Sequence, residues 1–227
     1  MKNFFLAILI LQLFISCSND DCDNNNVIPE TNRNIELGIP VDADPSDDFI
    51  IKRSQYVLSY NYRRNLSNWV SWNLHADWFG DAPRNSNFIP DIYLPDSFYQ
   101  VESSDYTNSG YDRGHIVRSN ERTNDPCDNL TTFYMTNIMP QLHDLNGGPW
   151  LKLEDYCKDL CLIENKELFI VGGGIFSSDS TINNWDSIPE SQRIAVPDSF
   201  FKIIVILERD QGLRDIDSST QVIAVAM

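Results

Sequence analysis

A single helical stripe set among segments of strand character limits the fold of this chain more than any other feature. Leu153, Tyr156, Cys157, Leu160 and Cys161 recur at the spacing of one helix face, while Lys152, Glu154, Asp155, Lys158 and Asp159 lie outside it. Pro149 suits the first turn, where its missing amide donor costs nothing. Tyr56 to Tyr60 and Trp69 to Leu74 read as strands, as do Thr132 to Met139, Glu167 to Val171, Phe200 to Leu207 and Gln221 to Ala226. Strands on both sides of a helix, without repeated strand–helix alternation, predict an α+β layer rather than a doubly wound sheet. The 227 residues suffice for one domain with a full core, and no internal repeat is present.

The first sixteen residues read as an export signal. Lys2 precedes an apolar run from Phe4 to Ile15, interrupted only by Gln12 and too short to span a bilayer. Phe14-Ile15-Ser16-Cys17 resembles a bacterial lipobox, which implies lipidation of Cys17 and an exported protein anchored at the cell envelope or surface. Cleavage without lipidation would release it as a secreted protein. Loss of residues 1–16 removes one positive charge, Lys2, and takes the net charge from −16 to −17. Residues 18–48 carry nine acids, one base and several prolines and asparagines. That composition predicts an acidic tether over 17–48. With the tether's net −8 set aside, about −9 remains on the folded part. Phosphate binding therefore has to rely on a local basic cluster.

The chemistry concentrates between Arg84 and Glu154. His115 stands in Gly110-Tyr111-Asp112-Arg113-Gly114-His115, where the glycines permit a tight backbone and a neutral imidazole is a natural general base. A histidine beside Asp and Arg is, taken alone, more often a structural hydrogen-bonding group. Asn146 and Glu154 stand eight residues apart about the helix start. If the interval is helical throughout, they lie about 12 Å apart along the axis and can flank one ion. Asn146 would bind a hard Mg²⁺ and Glu154 hold one of its waters. The plainer reading is an Asn in a turn and a Glu on a solvated face.

Together these segments resemble the DNA/RNA non-specific endonucleases of the ββα-metal type. The resemblance rests on Pro83-Arg84 with Phe88 and Asp91, Asp112 to His115, Thr136-Asn137 with Pro140-Gln141, and Asn146, Trp150 and Glu154. It implies a central, mainly antiparallel sheet flanked by helices, and hydrolysis of DNA and RNA phosphodiesters to 5′-phosphate ends without sequence or sugar preference. His115 would be the general base, Asn146 the protein ligand of Mg²⁺ (or Mn²⁺), and Glu154 would order metal-bound water. Arg84 and Arg113 would clamp phosphate oxygens. Asp112 and Asn137 would brace the site.

Arg118 follows where many relatives carry Ala-Pro or Cys-Pro, and is expected to add phosphate binding. The chain stops at a strand before the family's usual C-terminal segment, so the domain expected over 49–227 looks truncated. The alternative to a nuclease is a nuclease-derived surface lipoprotein that binds nucleic acid or a protein partner without cutting.

The other candidate motifs are plainer. Cys157 and Cys161 belong to the helix stripe. Cys127 sits in an Asp-Pro-Cys-Asp turn, and either it or Cys22 is a candidate for a disulfide. His75 and His143 read as hydrogen-bonding groups without ligand spacing, and Gly172-Gly173-Gly174 lacks the dinucleotide fingerprint.

Overall fold

The computed structural model describes residue 22, residues 32–41, residues 44–183 and residues 187–227. The expected signal segment and Cys17 lie outside the described residues. Among the described residues, ten strands form three sheets. β1 (Phe49–Lys52), β2 (Val57–Asn61) and β3 (Leu66–Leu74) open the main sheet; β4 (Asp112–His115) and β5 (Ile138–Gln141) make a separate ribbon. β6 (Lys166–Ile175) returns to the main sheet, and β7 (Thr181–Ile182) with β8 (Ile194–Ala195) forms a second small ribbon. β9 (Ser199–Glu208) and β10 (Gln221–Ala226) complete the main sheet in the order β1-β2-β3-β6-β9-β10, antiparallel at every pairing. The expected α+β fold with a large antiparallel sheet is what the chain adopts.

Two helices matter to the site, α1 (Pro126–Thr131) and α2 (Leu151–Leu162). Asp125 caps α1, its Oδ1 accepting from the Cys127 amide at 2.7 Å. Cys127 is disulfide-bonded to Cys22. Trp150, Cys157, Leu160 and Cys161 are buried in one apolar cluster with Val70, Trp72, Leu74, Leu168 and Ile170 of the sheet. The inward face of α2 differs from the apolar stripe in the sequence. Glu154 is buried, whereas Tyr156 is exposed. Packing selects that face because cations from other elements meet the carboxylate.

Two further expectations change. Thr132 to Met139 is not one strand: α1 ends there, and a 3₁₀ turn, Met135–Asn137, leads into β5. Residues 32–48 are not a free tether over the part described. Asn34 is buried, donating to Ser54 O at 2.9 Å and accepting from the Asn73 amide at 2.9 Å, while Arg33 pairs with Glu167. Asp47 accepts from the Asn61 amide group at 2.7 Å, and Asp48 from the Ser59 hydroxyl. Composition cannot reveal that these polar residues find fixed partners on the sheet, which is what overrides their preference for solvent.

Candidate active site

The β4–β5 ribbon carries Asp112-Arg113-Gly114-His115 in register with Gln141, Pro140, Met139 and Ile138. Asn137 closes it from below. Its side chain donates to Val117 O at 2.9 Å and Thr132 O at 2.8 Å and accepts from the Val117 amide at 2.9 Å. These bonds tie Asn137 to the chain after β4 and to the end of α1. Gly114 is constrained by a neighbour rather than by φ: a Cβ there would lie 2.6 Å from Gln141 Cγ and closer still to its amide group. The positive φ in this segment belongs to Gly110.

His115 is wedged between two phenylalanines, its ring centroid 5.4 Å from that of Phe88 and 4.9 Å from that of Phe133. The Arg113 guanidinium lies over Phe88 at 5.0 Å and that of Arg84 over Phe133 at 4.9 Å. Among the described residues neither imidazole nitrogen has a hydrogen bond, and Nε2 is fully buried. Burial, then the charges of Arg84 and Arg118, push the imidazole well below its ordinary pKa, so it is neutral at pH 7.

The three arginines differ in freedom. Arg113 spends one amino group on Ser103 O at 3.1 Å, and Arg84 one on the Ser119 hydroxyl. Each keeps other donors. Arg118 instead donates to Asp155 at 2.6 Å and lies 3.5 Å from Glu154. In this conformation its charge is matched by carboxylates of α2, so a phosphate contact from Arg118 competes with Asp155.

The interval from Asn146 to Glu154 is not one regular helix. A turn at His143–Leu145 runs into a π-helical turn, Asn146–Trp150, with Gly148 at φ −112°, ψ −113°, before α2 begins. That break re-aims Asn146 relative to Glu154. The Asn146 Nδ2 donates to Asp112 Oδ2 at 2.9 Å, and His143 Nδ1 lies 3.0 Å from the same oxygen. Burial would raise the Asp112 carboxyl, but the bonds from Asn146 and His143 outweigh it and hold the group below its ordinary value. Asp112 thereby braces Asn146, and no described residue donates to the Asn146 Oδ1. A free, oriented amide oxygen beside a carboxylate suits a hard cation that keeps most of its waters. Among the described residues no cluster of three or more His, Cys, Asp or Glu is placed to hold a metal.

Glu154 is the perturbed acid of the site. Burial raises its pKa to about 7 against the opposing charge of Lys202. Lys202, Glu121, Phe133 and His143 join this region although no sequence motif includes them. For Lys202 a signal exists: it is a lone charge alternating with Phe200, Ile204 and Ile206 in a strand. Phe133 carries none.

The antiparallel sheet backs a ribbon that carries Arg113 and His115 and a helical segment that carries Asn146 and Glu154. The chain belongs to the DNA/RNA non-specific endonuclease family, whose sequence model matches residues 33–226. It is 42% identical over 202 residues to a nuclease of Nostoc sp., covering 87% of this chain and 70% of that protein. It is 30% identical over 158 residues to mitochondrial nuclease EXOG of Mus musculus, covering 67% of this chain but 42% of that protein. A solved structure of an EndoG/EndoGI complex has the same fold, with a TM-score of 0.63, 22% identity and 81% of each chain covered.

Proposed function

We propose that this chain is a metal-dependent endonuclease that hydrolyses DNA and RNA to 5′-phosphate ends without reading sequence or sugar. The observation that carries the reading is His115, with a free ring nitrogen, held between two phenylalanine rings that each support an arginine. His115 takes the proton from the attacking water. Arg84 and Arg113 hold phosphate oxygens through their remaining donors, a task for which a planar guanidinium is suited. Asp112 accepts from the Asn146 amide nitrogen and leaves its oxygen, through which Asn146 would hold Mg²⁺ or Mn²⁺. When bound, the cation supplies charge stabilisation at the phosphate and the departing 3′ oxygen. Glu154 accepts hydrogen bonds from water in the site. Contacts made only to phosphate position a strand but carry no base information, hence the indifference to sequence.

Export as a lipoprotein anchored through Cys17, or as a secreted protein, belongs to the same proposal. The Cys22–Cys127 disulfide supports it, since such bonds persist in oxidising compartments. The test is digestion of plasmid DNA and of RNA by the purified protein in Mg²⁺, with and without chelator. His115→Ala is expected to cut about 10²- to 10⁴-fold more slowly. Cleavage by that variant at the wild-type rate removes the assigned base. Binding of nucleic acid without cutting by the wild type turns the reading to a nuclease-derived binding protein.

A further inference from the structure

Beneath the site, a buried ammonium group has no role in the chemistry described so far. Lys202 lies on β9 opposite Gly172 of β6 and Val225 of β10. Its side chain is 1% exposed, on the strand face that carries Phe200, Ile204 and Ile206. A lysine in such a position is costly unless its charge is met. Here Nζ lies 4.0 Å from the Trp150 ring centroid and 5.4 Å from that of Trp72, and 3.8 Å from Glu154 Oε1. Gly172 bears no side chain on the strand beside it, and a Cβ there would already touch Trp72 and Ile116 at 3.5 Å. The Trp72 indole is held in turn, donating Nε1 to Glu121 Oε2 at 2.9 Å.

We propose that Lys202 is a positioning residue for Glu154: seated between the two indoles, its ammonium fixes the carboxylate on the site side of α2 and keeps it an acceptor. The proposal rests on the functional reading above, in which Glu154 orders water. The groups facing Glu154 are Lys202 from β9, Arg118 and Glu121 from the segment after β4, and Cys157 with the Trp150 ring from its own helical region. Glu121 opposes ionisation, while Lys202 and Arg118 favour it. Arg118 is partly exposed and shared with Asp155, so the buried countercharge is that of Lys202.

The experiment pairs two readouts in Lys202→Met and Lys202→Arg. The first is the carboxyl ¹³C titration of Glu154 in metal-free protein, assigned by Glu154→Gln. The second is the pH profile of cleavage in Mg²⁺. In Lys202→Met the Glu154 midpoint is expected to rise by about one pH unit or more, with the acid limb of cleavage moving by the same amount. That gives about a tenfold loss near pH 6, shrinking to under about twofold near pH 9. Lys202→Arg keeps the charge and restores both midpoints.

An unmoved Glu154 midpoint, or a loss of rate equal at every pH, overturns the proposal, because a merely space-filling lysine would give that result. If Lys202→Met does not fold, the wild-type protein still decides. The ¹⁵Nζ signal of Lys202 must then titrate with the Glu154 midpoint and lose that step in Glu154→Gln, and a signal blind to Glu154 overturns the proposal. A wild type that cuts nothing, while its Glu154 midpoint moves in Lys202→Met, defeats the nuclease reading and leaves the Lys202–Glu154 assignment standing.

Discussion

Replacing Gly114 by alanine adds one methyl group to the β4–β5 ribbon where the side chain of Gln141 already fills the space. That methyl would lie 2.6 Å from Gln141 Cγ, about 0.8 Å short of an ordinary 3.4 Å contact, and nearer still to the amide carbon and oxygen. The Gln141 side chain is fully buried and has no exit to solvent, and neither of its amide atoms has a partner to re-form elsewhere. The strain therefore passes into the β4–β5 pairing that positions His115 and Asp112. Overpacking of this kind costs about 1–3 kcal/mol, and displacing a catalytic group by about 1 Å costs about 10²-fold in rate. Urea denaturation should show the stability loss, and single-turnover cleavage of plasmid DNA the slower step. The mechanism also predicts coupling: in Gly114→Ala/Gln141→Ala the clash is gone, so the double variant should regain at least about 1 kcal/mol over Gly114→Ala. Wild-type stability and rate in Gly114→Ala, or a double variant no more stable than the single, would refute the steric reasoning.

Because burial raises the Glu154 carboxyl to about 7 and the ionised form is the acceptor, cleavage should fall as pH drops through about 7. The neutral His115 does not set this limb, since its own pKa is pushed far lower, so the limb should disappear from the residual rate of Glu154→Gln. Arg84→Lys keeps the charge but not the planar fork, and should lower kcat/KM about tenfold while leaving the salt dependence of binding unchanged; Arg84→Ala should also flatten the salt slope by about one unit. Asn137→Ala strands the Val117 amide and the Val117 and Thr132 carbonyls in the interior, and should destabilise the protein by about 3 kcal/mol in urea denaturation.

The legible part of this protein is the part whose signal is local. Apolar and β-branched or aromatic runs of strand length at Tyr56–Tyr60 and Trp69–Leu74, and alternation over Phe200–Leu207, mark sheet strands, because a strand buried on both faces reads as a run and one buried on a single face reads with period two. The ordered set Asp112 to His115, Asn137, Asn146 and Glu154 is readable as a nuclease signature. The arrangement of its members is less so. Helical spacing assigns Glu154 to a solvated face, yet it is buried, because Lys202 and Arg118, distant in the chain, supply the countercharge. A uniform helix from Asn146 fails at Gly148, where the backbone leaves helical geometry. The acidic stretch before Phe49 reads as a tether by composition, but the donors that engage Asn34, Asp47 and Asp48 lie on β2 and β3.

From its sequence alone the chain determines which chemical groups it owns: one imidazole among arginines, one amide and one carboxylate about a helix start, and the alternating strands that can back them. Tertiary structure alone decided which of those groups are available. Gly114 looks like a residue chosen for backbone freedom, and the fold shows it chosen for the approach of Gln141. Arg118 looks like a phosphate ligand, and the fold turns it to Asp155 and Glu154. The physical reason is the same in each case. Propensity and periodicity act over a few residues, whereas burial and charge pairing depend on partners tens of residues away that only the closed sheet brings into contact.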